Sequence, residues 1–370
     1  MFPVMLPFYK DHVGIGYQGM LIGEAVFAAS SILFDVPTSW ISDNWRRKHS
    51  LALGAAFIFL ALCIFGLAKN IWAVIACNVV WGIGYSLLNG TNTALIYDSL
   101  LVMGREKEFQ KWDGRRLACS LYGTAVAGTI GGYAYEKNNF LPIYLSLLFH
   151  VLAFCVVIFM QEPDRHRKMR EKHPVADILR TIKYVLRGHA DLGVIIGLAA
   201  SIFCATKLIM FSQQPYFMAA ELPIKYYGIL MAVGWGLGGL SGHFAYLLEG
   251  KANIFLVLAA SLFAALFVCI GAASHIGGFG IFLLMLGGTC IYGIISPRVN
   301  EAVNKSVGSD RRATALSTTS LVYHMLFIPL SLMIGWISDN VGVRWNLIAI
   351  AAWLIFAGTC TYFAKTPRRT

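Results

Sequence analysis

Asp35-Val-Pro-Thr-Ser-Trp-Ile-Ser-Asp43-Asn-Trp-Arg46-Arg47-Lys48 ends an apolar helix abruptly in an aspartate and three basic residues, with a carboxylate and a proline on the way. Far along the chain, Gly335-Trp336-Ile337-Ser338-Asp339-Asn340-Val-Gly342-Val-Arg344 repeats that ending. Trp-Ile-Ser-Asp-Asn stands at 40–44 and again at 336–340. One pentapeptide at two helix ends points to an internal repeat, and the rest of the fold has to be consistent with it.

The composition names the solvent. Of 370 residues, 57% are hydrophobic and 13% charged, whereas soluble domains carry about 25% charged residues. A bilayer core about 30 Å thick takes ~20 apolar residues per helical crossing. Windows of that kind recur at 17–43, 50–69, 71–97, 116–135, 141–161, 192–219, 226–248, 253–274, 277–297, 315–338 and 344–364. The chain therefore reads as an all-α polytopic membrane protein with eleven complete spans. Met1–Tyr9 is apolar as well, but nine residues make only ~14 Å of helix. That stretch reads as the outer half of a twelfth, earlier span whose beginning is missing, either because the start is assigned too late or because the protein is truncated.

Charge placement orients the spans. With Arg46, Arg47 and Lys48 on the cytoplasmic side, alternation puts 24 Lys and Arg inside and five outside (Lys10, Lys69, Lys137, Lys225 and Arg344), with Lys207 inside a span. The C-terminus comes out cytoplasmic. The net charge of +11 is then a topological signal, and no nucleic-acid partner is expected. Eight cysteines lie in apolar stretches with no C-x-x-C among them. They read as small core residues, neither disulfides nor metal ligands. No metal or cofactor is expected.

Residues 162–191 are the one long polar insertion. Val175, Ile178, Leu179, Ile182, Val185 and Leu186 recur there at helical spacing between basic residues, the pattern of an amphipathic helix on the inner leaflet. This divides the chain into a helix bundle over 1–161, a cytoplasmic linker over 162–191 and a second bundle over 192–370.

Two six-helix halves, a basic central loop and the Asp43 turn resemble the major facilitator superfamily of secondary transporters. That family's signature turn reads Gly-x-x-x-Asp-Arg/Lys-x-Gly-Arg-Lys/Arg. Asp43, Arg47 and Lys48 match it, while Ser39, Asn44 and Arg46 replace the two glycines and the first basic residue. The resemblance implies two pseudo-symmetric bundles, the first helix truncated here, with inverted repeats relating the second helix to the eleventh. That relation accounts for the second Trp-Ile-Ser-Asp-Asn copy. Asn78 stands where many members carry arginine. Gly123-x-x-x-Ala127-Gly128-x-x-Gly131-Gly132 is similar to the glycine motif associated with antiporters, without its proline. Arg312-Ala-Thr-Ala-Leu-Ser317 is a further family-like pattern.

Ionisable groups inside spans are costly and need partners or water. Glu24 and Asp35 share a helical face with Ala28 and Ser31, ~16 Å apart along the axis and too far apart to share a proton. Each is either a proton-coupling carboxylate or a structural hydrogen-bonding group, and the closeness of Asp35 to Pro37 assigns it to the gate. Asp43, Arg47 and Lys48 either latch the cytoplasmic side in one conformational state or anchor topology. Asp98, beside Arg115 and Arg116, suggests a salt bridge at the same face. In the family the fourth, seventh and tenth helices line the central cavity. Here they carry Asn78, Tyr85, Asn89 and Asn92; Lys207 and Gln214; and Thr289, Tyr292, Ser296 and Asn300. These are cavity residues or interhelical glue. His324 is a candidate partner for Glu24, or a satisfied structural histidine.

No G-x-S-x-G, H-E-x-x-H or phosphate-binding glycine loop is present, so an enzyme is not expected. The expected function is secondary transport by alternating access: proton-coupled efflux of drug-like amphipathic compounds by a monomer in the bacterial inner membrane. The alternatives are uptake of a small anionic metabolite or chelate, with Lys207 as anchor, and a non-transporting receptor-like protein.

Overall fold

A computed structural model of the protein describes residues 2–88, 91–105, 108–162, 190–248, 252–306 and 312–365. Its elements are helices: α1 (Met5–Phe8, between helical turns over Phe2–Val4 and Tyr9–Val13), α2 (Tyr17–Asn44), α3 (Arg47–Leu67), α4 (Ile71–Leu88), α5 (Thr91–Val102), α6 (Phe109–Lys137), α7 (Leu141–Phe159), α8 (Ala190–Ala219), α9 (Lys225–Phe244), α10 (Ile254–Ser274), α11 (Gly278–Ser306), α12 (Arg312–Asn340) and α13 (Val343–Lys365). Each of the eleven expected spans falls on a helix, the span over 71–97 on two, α4 and α5. Among the described residues, nine helices are both long and apolar enough to cross a bilayer. The other two long helices, α6 with 29 residues and α9 with 20, reach ~43 and ~30 Å by length. Charges at the start of α6 and the many glycines of α9 dilute their hydropathy.

Both copies of the repeated pentapeptide close a helix, α2 at Asn44 and α12 at Asn340. They leave differently. After the first, Trp45 and Arg46 run extended into α3; after the second, the chain turns at Gly342 with φ +111°. The charged turn thus belongs to the first copy alone. Of the linker only residues 162, 190 and 191 are described, and its expected amphipathic helix lies outside the described residues.

The chain forms two compact units, Met1–Lys172 and His173–Thr370. In the first, α4 packs on α2 and α3, and α7 packs on α3. In the second, α8 is the central helix, packed on α10, α11, α12 and α13. Helices in lipid gain little from hydrophobic burial against each other, so small residues and polar crosslinks decide how closely they approach. In the first unit the Ser30 hydroxyl donates to the Val79 carbonyl at 3.0 Å and that of Ser86 to the Ser31 carbonyl at 3.1 Å. A Cβ on Gly82 would come within 2.7 Å of Ser30. In the second unit Thr289 donates to the Gly234 carbonyl at 2.6 Å, and a Cβ on Gly238 would meet Thr289 at 2.7 Å. Gly234, Gly238 and Gly242 of α9 thus serve close packing against α11, whereas a Cβ on Gly236 would meet nothing.

The N-terminal turns extend past the expected Tyr9 to Val13 and end at Gly14, φ +73°. The Phe8 ring stacks on Phe65 at 5.0 Å and meets Phe140 edge-on at 5.6 Å. The Tyr135 hydroxyl donates to Asp11 at 2.7 Å. All eight cysteines are free thiols. Cys77, Cys204 and Cys269 are buried as expected, but Cys119, Cys155 and Cys360 are exposed. An apolar face turned to lipid tolerates a thiol as readily as a core does, which hydropathy alone does not separate.

Candidate functional site

The charged turn gathers four helix ends of the first unit. α3 starts at Arg47, immediately after the extended Arg46, so its first backbone N–H groups have no intrahelical acceptor. Glu162, three residues beyond α7, supplies one. Its carboxylate accepts from the Arg47 N–H at 2.7 Å and the Lys48 N–H at 3.4 Å. A carboxylate at that position also meets the positive end of the helix dipole. The Arg47 side chain pairs with Asp98 of α5 at 3.0 Å, the two side chains being only 12% and 18% exposed. Ser42 of α2 and Thr91 of α5 share a buried hydrogen bond at 2.9 Å. The Asp43 side chain lies outside the described part of the structure; its backbone is in the last turn of α2.

Asp98, for which a salt bridge with Arg115 or Arg116 was expected, pairs with Arg47. The helix that carries Arg115 begins at Phe109, well before it. Along that start Glu108 accepts from Arg105 at 2.8 and 2.7 Å and from the Trp112 indole at 3.2 Å. The hydrogen bonds from Arg105 to Glu108 and the Glu108 charge raise the Arg105 pKa above its ordinary value. Arg115 is exposed, its guanidinium 4.8 Å from the Trp112 ring centroid.

Deeper in the first unit, Glu24 is half-buried on α2. It lies within electrostatic reach of Tyr9 and Cys77, and the Tyr9 hydroxyl also interacts with the Asn78 side chain. The Asn78 amide donates to the Val74 carbonyl at 2.9 Å. Gly23 makes the arrangement possible, because a Cβ there would stand 2.7 Å from Asn78 Nδ2. An acid, a phenol, an amide and a thiol thus share one region of the unit. Asp35 is exposed and separate from this group. Beside it the Thr38 hydroxyl turns back to the Phe34 and Asp35 carbonyls at 2.7 and 3.2 Å, next to Pro37, which has no N–H to give. Tyr85 is exposed with its ring 5.4 Å from Phe27, and Asn92 is exposed at the start of α5. Asn89 lies outside the described residues.

In the second unit Lys207 of α8 is enclosed by aromatic rings. Its Nζ is 4.5 Å from the Phe327 centroid, 5.5 Å from Phe211 and 5.9 Å from Tyr323, within the ~6 Å range of cation–π attraction. His324, on the same α12 as Tyr323 and Phe327, is within electrostatic reach of Lys207. Its Nδ1 hydrogen-bonds the Ser320 carbonyl at 2.8 Å. His324 and Glu24 belong to different units. Gln214 is fully buried, and its neighbour Gln213 donates to the Leu284 carbonyl at 3.0 Å. Tyr292 is exposed, its ring 5.3 Å from Phe203.

Reading the sequence for charged motifs missed three groups. Glu162 ends an apolar span next to Pro163, and an acid leaving the membrane on the basic side was the available signal. Arg298 and Glu301, three residues apart on α11, form an ion pair, and Arg298 also donates to the Ala252 carbonyl at 2.9 Å. Tyr9 gave no signal beyond its place in an apolar run. Among the described residues no group of His, Cys, Asp or Glu is arranged to hold a metal ion.

Comparison with known proteins gives this arrangement its context. An uncharacterized MFS-type transporter, YxaM, of Bacillus subtilis (strain 168) is 22% identical over 231 residues, 60% of this chain and 55% of that one. Multidrug resistance protein 1 of the same organism is 24% identical over 170 residues, 45% of this chain and 41% of that one. The chain thus spans about half the length of the curated relatives it matches. A mutant form of the nucleoside transporter NupG superposes with a TM-score of 0.77 at 13% identity, over 98% of this chain and 95% of that one. At that identity the likeness shows the fold alone. The profile of the Major Facilitator Superfamily matches residues 1–328, a stretch that takes in the Asp43 turn, the Arg47–Asp98 pair and most of both units, and the chain belongs to that superfamily of membrane transporters.

Proposed function

We propose that the protein is a proton-coupled exporter of drug-like, amphipathic compounds that works by alternating access. The observation that carries this reading is Glu24, an acid inside the first unit beside Tyr9, Cys77 and Asn78. A carboxylate at membrane depth is retained only where it has work to do or a partner to satisfy it. A group of phenol, amide and thiol suits one that alternates between protonated and charged forms. The name of one relative, a multidrug resistance protein, and the aromatic enclosure around Lys207 favour amphipathic substrates.

In this reading Asp43, Arg47, Lys48 and Asp98 form the cytoplasmic latch, and Arg115 is a flanking interfacial charge. Tyr85, Asn89, Asn92, Lys207, Gln214 and Tyr292 contribute to the substrate path. Asp35 and His324 serve the gate and the coupling route. The setting is the bacterial inner membrane, with the C-terminus cytoplasmic and the protein a monomer. Everted vesicles test the proposal. Acid-inside vesicles are expected to accumulate a lipophilic dye, and Glu24→Gln to abolish that accumulation; uptake that ignores the proton gradient would overturn it.

A second reading, uptake of a small anionic solute, is favoured by the Lys207 ammonium. An anion beside it would offset the cost of holding that charge away from water. Saturable anion uptake into right-side-out vesicles would select it.

A further inference from the structure

At the Gly14 end of the first unit, the last N-terminal turn, the end of α3 and the start of α7 leave a cleft of about 530 Å³. Small-molecule sites span about 300–1,000 Å³. Its walls are apolar, with Leu62, Gly66, Phe140 and Ile143 among them; its basic groups are His12 and Lys69. Lys69 is exposed at the end of α3, and Tyr144 and Trp72 are exposed at the same level. Lysine with tyrosine and tryptophan marks the headgroup region of a bilayer.

The His12 ring is held between Phe8 at 4.8 Å and Phe140 at 4.7 Å. Its Nε2 is buried and has no hydrogen-bond partner. A buried polar atom without a partner costs about 1–3 kcal/mol, so a ligand that supplies one gains by it. The neighbouring carboxylate, Asp11, accepts from the Tyr135 hydroxyl at 2.7 Å, and among the described residues no carboxylate lines the cleft. The occupant that fits is apolar along most of its length, with a negative acceptor group at one end. The bilayer supplies such molecules directly: α7 leaves Leu148, Phe149, Leu152 and Val156 exposed below the cleft.

We propose that this cleft binds an anionic amphiphile, its acyl chain against α3 and α7 and its phosphate or carboxylate at Lys69 and His12. The site is separate from the charged turn and from the Glu24 group, and it does not depend on the transport reading. A phospholipid headgroup and a free fatty acid offer the same chemistry.

Native mass spectrometry of the full chain, after incubation with phosphatidylglycerol, phosphatidylcholine of the same acyl chains, or oleate, tests it. One phosphatidylglycerol per chain is expected to be retained about fivefold better than phosphatidylcholine, the worth of one exposed ion pair. Oleate retained in its place would assign the same site to a fatty acid. Lys69→Ser with His12→Leu is expected to erase the preference, and Lys69→Arg to keep it. Gly66→Leu is expected to empty the site. Its Cβ would meet Ile143 at an ordinary 3.4 Å, so the side chain grows into the cleft without displacing backbone. Circular dichroism and elution volume identify any variant that fails to fold. Equal retention of the two phospholipids by the parent, or retention undiminished in a folded Gly66→Leu, would overturn the proposal.

Discussion

Arg47 and Asp98 meet at 3.0 Å with little of either side chain exposed, which joins the first turn of α3 to the last turns of α5. An ion pair so far withdrawn from water matters mainly when one partner is lost. The remaining charge is then uncompensated, at a cost of about 3–5 kcal/mol for a fully buried pair and less at this exposure. A bond of that kind suits a latch, because its rupture separates two conformational states by an amount that a substrate and a proton together can supply.

Asp98→Asn is therefore expected to slow transport about tenfold or more, equivalent to ~1.4 kcal/mol in the balance of states, while the protein still reaches the membrane. Arg47→Gln is expected to do the same, and Asp98→Asn with Arg47→Gln to be milder than the two effects combined. Strict additivity of the two, measured as dye efflux normalised to protein in the membrane, would mean that they act independently.

Glu162 caps α3 from outside the helix. Glu162→Gln keeps one acceptor but loses the charge at the helix N-terminus, and Glu162→Ala loses both. Losing such a cap costs about 1 kcal/mol. Hydrogen exchange at the Arg47 and Lys48 amides is expected to speed up in the order parent, glutamine, alanine. Unchanged exchange in the alanine variant would remove Glu162 from the turn.

Glu24→Gln is expected to flatten the pH profile of transport, since the amide cannot take up a proton. Tyr9→Phe removes the nearby hydroxyl and keeps the ring, so a displaced but not flattened profile is expected. A parental profile in Glu24→Gln, measured between pH 5.5 and 8.5 (a range of about three units around neutrality), would exclude Glu24 from coupling.

Lys207 tests the choice of substrate. Lys207→Arg preserves a cation over Phe327, Phe211 and Tyr323 and is expected to keep most of the activity. Lys207→Ala is expected to raise KM for an anionic solute while leaving that for a neutral amphiphile nearly unchanged. Equal loss for both, with a lowered Tm, would make Lys207 a packing residue.

The spans were legible because membrane crossing imposes a length and a composition that few other structures share. The five repeated letters marked two helix ends, those of α2 and α12. The charged turn was legible only in part. Arg47 stood out by its motif, but its partner is fixed by how α3 meets α5 in the packed unit, and nothing local in the sequence encodes that register. Arg115 was nearer to Asp98 along the chain and still not its partner, because α6 starts early and carries Arg115 onto Trp112. Glu162 was hidden for a similar reason: its role depends on the end of α7 arriving beside the bare N-terminus of α3. For Thr289 spacing left both cavity and interhelical glue open, and its hydroxyl is used as glue between α9 and α11.

The most direct test of proton-driven export is transport by purified protein in liposomes with an imposed pH gradient. With the interior acid and a lipophilic dye outside, the parent is expected to concentrate the dye, the signal to collapse when a protonophore is added, and Glu24→Gln to show none. Dye movement that is equal with and without the gradient, or that persists in Glu24→Gln, would contradict it.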